Sequence, residues 1–224
     1  MQKALDFDNF RSAQVLFTQA STALLRPNPR LEYALSNSAA HGLPPITINP
    51  LVGQHLSILA QVMGARSILE VGTLGGYSSI HFAETGAKVT SVEINPQHRD
   101  VALENLKGLD VEVLLGAAAT VLPKLAEEGR KFDLVFIDAD LADKWEQFDM
   151  AVKVTRPNGC IFVDDVVATM FGNGDVGEDK KDTILTKIGQ DDRVRATLVP
   201  VVACHPIMPT PLFNGYIFAT VKSA

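Results

Sequence analysis

Five short apolar segments alternate with helical segments in the middle of the chain, and this alternation leaves few folds open. The apolar segments, each of strand length, are Ser67–Gly72, Lys88–Glu93, Val111–Leu115, Phe132–Asp138 and Gly159–Asp164. The intervening segments with helical spacing of apolar residues are 76–83, 96–107, 117–128 and 144–154. Strands separated by helices of this length pair in parallel through right-handed crossovers. Because the strands are apolar almost throughout, we predict a parallel sheet covered by helices on both faces.

The segments on either side of this region complete the predicted organisation. Before it, the predicted elements are a helix over 7–25 ended by Pro27 and Pro29, a loop from Ser36 to Pro50, and a helix over 50–63 stopped by Gly64. After it, they are a loop from Gly172 to Gly177, a helix over about 179–189, and strands at Ala196–Val202 and Tyr216–Val221. The last two strands form a hairpin-like ending, so we expect the final strand to run antiparallel to the others. We predict one α/β domain over 1–224, with a helical cover over 1–64 and the sheet core over 65–224.

The charge balance argues against two classes of partner. The chain has 26 acidic and 20 basic residues, a net charge of −6 and a pI of about 5.3. Nucleic acids and anionic membranes bind basic surfaces, so we predict neither as a partner. No stretch approaches the roughly 20 apolar residues of a membrane span. The two cysteines, Cys160 and Cys204, are too few for a disulfide framework, and we predict a protein of the reducing cytoplasm.

A glycine-rich turn follows the first strand of the alternating region. Its sequence, Glu70-Val71-Gly72-Thr73-Leu74-Gly75-Gly76-Tyr77-Ser78-Ser79, brings the backbone close to a ligand but lacks the spacing of a dinucleotide fingerprint. Glu70 can order the turn and address an ammonium group; the alternative is a plain strand–helix turn. Glu93 ends the second strand, where a carboxylate suits a ribose diol. The alternative for Glu93 is a solvated charge at a strand end.

Carboxylates follow two later strands at the same predicted edge of the sheet. They are Asp138 and Asp140 after the fourth strand, and Asp164 and Asp165 after the fifth. Because the carboxyl ends of parallel strands meet at one edge, these groups would repel one another unless a cation neutralised them. Oxygen ligands suit Mg²⁺, Mn²⁺ or Ca²⁺. The alternative is that these side chains cap the helices that follow.

Taken together, the motifs resemble the cation-dependent O-methyltransferases that use S-adenosylmethionine, the group of catechol and caffeoyl-coenzyme A O-methyltransferases. The resemblance runs from about Ile46 to Val221. It is carried by the segments Gly53-Gln54, Leu69–Ser78, Val92–Asn95, Ile137–Asp140, Arg156–Gly159, Val163–Val166 and Asn214–Ala219. It implies a Rossmann-like class I methyltransferase fold, with a seven-stranded, mostly parallel sheet, an antiparallel last strand and helices on both faces.

The resemblance also implies roles for individual residues. The cofactor-binding residues would be Thr47, Ile48, Glu70, Gly72, Gly76, Tyr77, Ser78, Glu93, Ala118, Asp138 and Asp140. The metal ligands would be Asp138, Asp164 and Asp165, and the catalytic residues Asp138 and Lys144. The candidates to clamp the substrate ring are Trp145, Met170, Phe171, Met208 and Phe213, each of which could equally be ordinary packing.

Two positions depart from the family pattern. The family usually has Asp-Asn where this chain has Asp164-Asp165, so the second position carries an additional negative charge. Many members also have a lysine where this chain has Leu141, and the next lysine here is Lys144. Lys144 is therefore either the catalytic base or a solvated residue at a helix start.

The resemblance leads us to expect a homodimer that transfers a methyl group to a vicinal-diol aromatic small molecule of the catechol, phenylpropanoid or flavonoid type. The metal would bind both hydroxyls and lower the pKa of one. The loops expected to set specificity are about 26–45, 166–180 and 203–214. Two alternatives stay open: a non-catalytic, S-adenosylmethionine-binding dimeric scaffold and an NAD(P)-dependent oxidoreductase.

Overall fold

The computed structural model describes residues 7–139, 144–204 and 211–223, with the main chain alone for residues 7–11. Its helices are α1 (Phe7–Leu24), α2 (Pro29–Ala40), α3 (Pro50–Met63), α4 (Tyr77–Ala83), α5 (Pro96–Asn105), α6 (Ala118–Glu127), α7 (Lys144–Val154), α8 (Val166–Asn173) and α9 (Ile184–Gly189). Its strands are β1 (Ser67–Val71), β2 (Lys88–Glu93), β3 (Val111–Leu115), β4 (Phe132–Ile137), β5 (Thr155–Val163), β6 (Val194–Ala203) and β7 (Leu212–Val221). No helix within these ranges is long and apolar enough to span a bilayer.

The described strands form one seven-stranded sheet in the order β3-β2-β1-β4-β5-β7-β6. The pairs between β1 and β2, β1 and β4, β2 and β3, and β4 and β5 are all parallel. β7 runs antiparallel to both of its neighbours, β5 and β6. The predicted mostly parallel sheet with an antiparallel last strand is therefore confirmed.

Both faces of the sheet are covered, because successive side chains on a strand point to opposite sides. On β4, Leu134 and Phe136 pack with Leu56 of α3 and Phe82 of α4. Their neighbours on the same strand pack on the other face, against α6, α7, α8 and α9. This arrangement explains why the central strands are apolar at nearly every position.

Helix α2 occupies residues 29–40 of the segment between α1 and α3, part of which we predicted as a loop. Pro29 does not end the preceding helix but starts α2, and the Asn28 side chain accepts hydrogen bonds from the N–H groups of Arg30 (3.0 Å) and Leu31 (3.2 Å). Asn is a favoured N-cap and Pro a favoured first helical residue. The prediction of a loop from Ser36, within a specificity loop over 26–45, is therefore wrong over residues 36–40, whereas residues 41–49 lie outside any helix or strand, as predicted.

Several further boundaries differ from prediction in the C-terminal half, among them the start of β7, which is Leu212 and not Tyr216, so residues 212–214 of the expected specificity loop belong to a strand. β5 begins at Thr155, earlier than predicted, because Thr155 pairs with Phe132 of β4. A register shift follows, and the regular pairing resumes between Leu134 and Cys160. Residues 166–173, predicted as part of a loop, form α8, which packs against β7. α9 begins only after Thr183, whose side chain and that of Thr186 form a reciprocal capping box. A capping box at this point fixes the start of the helix later than apolar spacing suggests.

Helix α1 leaves large apolar side chains in solvent, among them Val15, Leu16 and Leu24, each at least 60% exposed. A helix that forms part of a packed core normally buries its apolar stripe. The predicted homodimer, with a contribution from this helix, stays a prediction.

A buried histidine of α4, His81, packs against α3. Its ring packs so closely on Gly53 that a Cβ added there would lie 2.4 Å from the ring. Nε2 is buried and has no hydrogen-bond partner in the described structure, whereas the Ser57 hydroxyl donates to the His81 carbonyl (2.9 Å). Burial lowers the pKa of His81 to about 4. The ring is therefore neutral in the folded protein at physiological pH.

We expect acid to destabilise the protein through His81. The pKa of His81 is lower in the folded state than in the unfolded state. The contribution of the neutral ring to the free energy of unfolding is therefore complete above about pH 6.5 and declines as the pH falls towards 4. The full difference corresponds to about 3 kcal/mol. Between pH 7 and pH 4.5, the free energy of unfolding measured in urea should fall less for His81→Leu than for the wild type. The variant keeps the hydrogen bond from Ser57 to the main chain of residue 81. Equal losses in the two proteins would contradict this assignment.

Candidate active site

A cavity of about 1040 Å³ lies at the carboxyl ends of the parallel strands. Its wall is formed by the loop before α3, the glycine turn after β1, the end of β2, the start of α6, the end of β4 and the first half of α7. The lining residues predicted from the sequence are Thr47, Ile48, Gly72, Tyr77, Ser78, Glu93, Ala118, Asp138, Trp145 and Asp165. Ligands of open α/β sheets bind at this edge, and the volume suits a nucleotide-sized molecule.

The glycine turn lies directly against the end of β4. Gly72 has φ +100°, and a Cβ added to it would lie 2.1 Å from the carbonyl oxygen of Asp138. The N–H of Asp138 in turn donates to the carbonyl of Val71 (2.9 Å). Only glycine allows this approach. The turn and Asp138 are therefore fixed relative to each other by main-chain contacts alone.

Glu93 holds the same turn from the other side. One carboxylate oxygen accepts hydrogen bonds from the N–H groups of Thr73 (3.2 Å) and Leu74 (2.7 Å). The other accepts from the N–H of Asn95 (2.9 Å), and Nδ1 of His98 lies 3.7 Å away. Glu93 is only 6% exposed, so the alternative of a solvated charge is wrong. The carboxylate lies on the cavity wall with spare acceptor capacity for a ligand hydroxyl.

Glu70 lies behind the turn and is not among the residues that line the cavity in the described part of the chain. It is fully buried, and one of its oxygens accepts hydrogen bonds from the hydroxyls of Ser79 and Ser91, the latter at 2.6 Å. Burial raises the pKa of Glu70. The Ser91 hydroxyl also lies 2.6 Å from that of Thr73, in the turn. In this structure Glu70 supports the turn through these side chains.

Three carboxyl groups come together beside the turn, and we call Asp138, Asp164 and Asp165 the carboxylate cluster. The N–H of Asp164 donates to the carbonyl of Ile137 (2.9 Å), so the residues after β4 and β5 lie side by side. Asp165 has φ +57°, and its Oδ1 accepts a hydrogen bond from the amide of Asn214 (2.5 Å). The side chain of Asp165 makes no capping bond to α8, so the helix-capping alternative is not supported there.

The members of the carboxylate cluster shift each other's pKa. Burial, followed by repulsion from Asp164 and Asp165, raises the pKa of Asp138 well above its usual range. Burial and repulsion from Asp165 raise the pKa of Asp164 to about 6. Such shifts show that the negative charges are close together and poorly solvated.

Lys144, the first residue of α7, lies next to the carboxylate cluster. It is 3% exposed, and its ammonium group donates a hydrogen bond to the main-chain carbonyl of Asp164. Its positive charge acts to lower the pKa of both Asp138 and Asp164. The alternative of a solvated lysine at a helix start is therefore wrong.

The other predicted site residues lie in different surroundings. Gly76 caps α4 and packs against Leu106, Met170 belongs to the core, and the exposed rings of Phe171 and Phe213 form an edge-to-face pair 5.9 Å apart. Asp140, Leu141 and Met208 lie outside the described residues.

Gln147 is a wall residue that sequence reasoning missed. It is 6% exposed, and its side-chain oxygen has no hydrogen-bond partner in the parts of the chain that are described. It lies one helical turn after Lys144, so the helical period of α7 could have indicated that both face inward. Other wall residues outside the predicted set include Ile94, His98 and Met150.

The wall fits S-adenosylmethionine. It offers the carboxylate of Glu93 for hydroxyl groups, the unpartnered oxygen of Gln147 for a donor, and the close main-chain approach at Gly72. Apolar side chains such as Leu122 and Met150 line the remainder and suit a purine ring.

The donor set of the carboxylate cluster fits a hard divalent cation, since it consists of carboxylate oxygens. Across residues 7–139, 144–204 and 211–223, however, no group of three or more His, Cys, Asp or Glu residues is arranged to hold a metal ion. The ammonium group of Lys144 lies against the cluster instead. The oxygens are present, but they are not closed around an ion site.

Comparisons with known proteins identify the family of the chain. Residues 27–204 match the O-methyltransferase family. The O-methyltransferase imqG of Aspergillus flavus is 34% identical over 215 residues, covering 88% of this chain and 85% of that protein. A catechol O-methyltransferase of Mycobacterium tuberculosis is 36% identical over 194 residues, covering 81% of this chain and 86% of that protein.

Solved structures give the same result. The O-methyltransferase from Bacillus cereus in complex with S-adenosylhomocysteine has a TM-score of 0.82 and 32% identity, covering 93% of this chain and 98% of that chain. TomG from Streptomyces achromogenes, an O-methyltransferase of tomaymycin synthesis in complex with S-adenosylmethionine, has a TM-score of 0.80 and 28% identity, covering 98% of this chain and 100% of that chain. The family match gives no support to the oxidoreductase alternative. The chain belongs to the O-methyltransferase family and is an S-adenosylmethionine-dependent O-methyltransferase.

Proposed function

We propose that this enzyme transfers the methyl group of S-adenosylmethionine to one hydroxyl of a vicinal-diol aromatic molecule, and that the transfer requires a divalent cation. The observation that carries the proposal is the carboxylate cluster beside the cofactor cavity. Asp138 and Asp165 lie on the cavity wall itself, and Asp164 adjoins them. The name of the Mycobacterium tuberculosis relative, a catechol O-methyltransferase, supports the choice of acceptor.

The cluster would hold the ion through the oxygens of Asp138, Asp164 and Asp165. Partly buried carboxylates that lie this close together remain ionised more readily when a positive charge is bound beside them. A divalent ion would supply Lewis acidity, which makes a hydroxyl easier to deprotonate, and would orient the acceptor.

The remaining groups of the wall would bind and orient the reactants. Glu93 would accept hydrogen bonds from the cofactor's ribose, and the turn at Gly72 would pass close to its methionine portion. Trp145 and Met150 would exclude water from one side. The positive charge of Lys144 would stabilise the acceptor oxygen as it loses its proton. The proton of the acceptor hydroxyl would leave to solvent and the methyl group would pass from sulfur to that oxygen, with the sulfur keeping the electron pair of the broken bond, so that S-adenosylhomocysteine would remain.

We expect EDTA to abolish methyl transfer and Mg²⁺ or Mn²⁺ to restore it. The measurement is S-adenosylhomocysteine formation with a panel of catechol, a caffeoyl compound and a flavonoid diol. Each diol is compared with its analogue that has a single hydroxyl, because chelation needs two adjacent oxygens.

Three outcomes would contradict separate parts of the proposal. Full activity in EDTA would exclude the cation, whereas equal rates on diols and their single-hydroxyl analogues would exclude chelation of the acceptor. Tight binding of S-adenosylmethionine without transfer to any member of the panel would exclude vicinal-diol aromatics of these types as the acceptor.

A further inference from the structure

Lys144 is a buried ammonium group beside the carboxylate cluster, and its contact with Asp164 is to the main chain. A lysine that is 3% exposed has lost most of its hydration, and such groups persist only with compensating charges or hydrogen bonds. Its position at the first residue of α7 brings the ammonium group to the end of β5, where the cluster begins.

We propose that Lys144 is the built-in counter-ion of the carboxylate cluster, offsetting one of its three negative charges and weakening the hold of the cluster on a divalent cation. The part that concerns the cation rests on the proposed function. The counter-ion part rests on the arrangement of this chain's own residues.

The interactions of the cluster support a division of roles. Asp165 receives a hydrogen bond from the neutral amide of Asn214, which orients it without removing its charge. The N–H of Asp165 donates to the carboxylate of Asp164 (2.8 Å), and the ammonium group of Lys144 donates to the carbonyl of the same residue. The carboxylate that Asp165 adds and the ammonium group of Lys144 therefore both lie at Asp164, where one offsets the charge of the other.

The same arrangement has a consequence for an incoming cation. With all three carboxylates ionised, the cluster would carry a charge of −3, and the ammonium group would reduce this to −2, the charge that one divalent ion balances. A positive group within the cluster also repels a second positive charge. Removing Lys144 should therefore strengthen cation binding while weakening the protein in the absence of cation.

The test uses the full-length protein with three variants and a control. Lys144→Met removes the ammonium group, Asp165→Asn removes one carboxylate, and the third variant combines both. Asn keeps an oxygen for the Asn214 bond and tolerates positive φ. The control is Lys153→Met on the same helix, an exposed lysine paired with Asp149 at 2.9 Å.

In EDTA, we expect Lys144→Met to lower Tm by about 10 °C. The double variant should regain at least half of this loss, since removing Asp165 relieves the repulsion that Lys144 compensated. In calorimetry, Lys144→Met should bind Mn²⁺ about tenfold more tightly than the wild type, and Lys153→Met should match the wild type in both measurements.

Each of the other outcomes either supports or overturns the role of Lys144 as counter-ion. Losses of Tm that simply add in the double variant would overturn the proposal, as would Mn²⁺ affinity that is unchanged or weaker in Lys144→Met when the wild type binds the ion. If Lys144→Met is insoluble, a folded double variant supports the proposal and an insoluble one overturns it. If neither the wild type nor Lys144→Met binds Mn²⁺, the cation requirement of the proposed function fails, and the Tm values in EDTA alone decide the role of Lys144.

Discussion

Asp138→Asn is expected to lower the rate of methyl transfer about a thousandfold, which corresponds to about 4 kcal/mol of transition-state stabilisation. The substitution keeps the volume of the side chain and the main-chain bond from Asp138 to Val71, so the protein should remain folded. Its free energy of unfolding should be unchanged or higher, because asparagine removes the repulsion between Asp138 and its neighbours Asp164 and Asp165. Steady-state rates with the best diol, measured beside urea unfolding, check both expectations.

Asp133→Asn is the matched control on the same strand. Asp133 lies near the opposite end of β4, where it accepts hydrogen bonds from the N–H groups of Arg66 and Ser67 and from Arg156. Its loss should reduce stability and leave the rate of the folded enzyme unchanged. If Asp138→Asn kept more than a tenth of the wild-type rate, Asp138 would not be a catalytic residue.

Gly72→Ala is expected to have the largest effect on stability, at least about 4 kcal/mol, or to prevent folding altogether. The methyl group would lie 2.1 Å from the carbonyl oxygen of Asp138, and neither main-chain segment can move without disturbing the pairing of β1 with β4. Urea unfolding, or the soluble fraction where the variant does not fold, measures the effect. Any protein that does fold should bind S-adenosylmethionine weakly, since the turn must shift.

Gly86→Ala separates strain from steric conflict. Gly86 has a similar φ of +89°, but no atom lies within 4 Å of a Cβ added there. Gly86→Ala should lower the free energy of unfolding only by the strain of placing alanine at positive φ, about 1 kcal/mol. Similar losses for the two variants would mean that the contact between Gly72 and Asp138 contributes little.

The elements that the sequence predicts well are those with local start and stop signals. β2 and β3 have the predicted bounds, and α3 begins at Pro50 and ends before Gly64, which adopts φ +64°. The predictions were wrong where one residue type can either end or start a helix, and where a helix is stabilised by residues far away in the chain. Pro29 reads as a terminator unless Asn28 is recognised as an N-cap, and α8 is a helix that packs against a strand about 40 residues later in the chain.

The candidate active site was also predicted only in part. The motifs identified the turn, Glu93 and the carboxylate cluster, because these residues follow strands whose ends meet at one edge of the sheet. The sequence did not indicate that Glu70 would bind Ser79 and Ser91 behind the turn, since partners 9 and 21 residues away are set by the packing of α4 and β2. Nor did it reveal that Lys144 would be buried against Asp164.

The sheet order has a consequence for how the protein is synthesised. β6 precedes β7 in the chain, yet β7 lies between β5 and β6 in the sheet. In the described structure β6 pairs with β7 alone, so during translation it waits without a partner until residues 212–221 have left the ribosome. The same late strand brings Asn214 to Asp165. A nascent chain can therefore build the cofactor turn early, but it completes the carboxylate cluster only when β7 is inserted, and a ribosome that stalls before this point would expose an unpaired strand edge to aggregation.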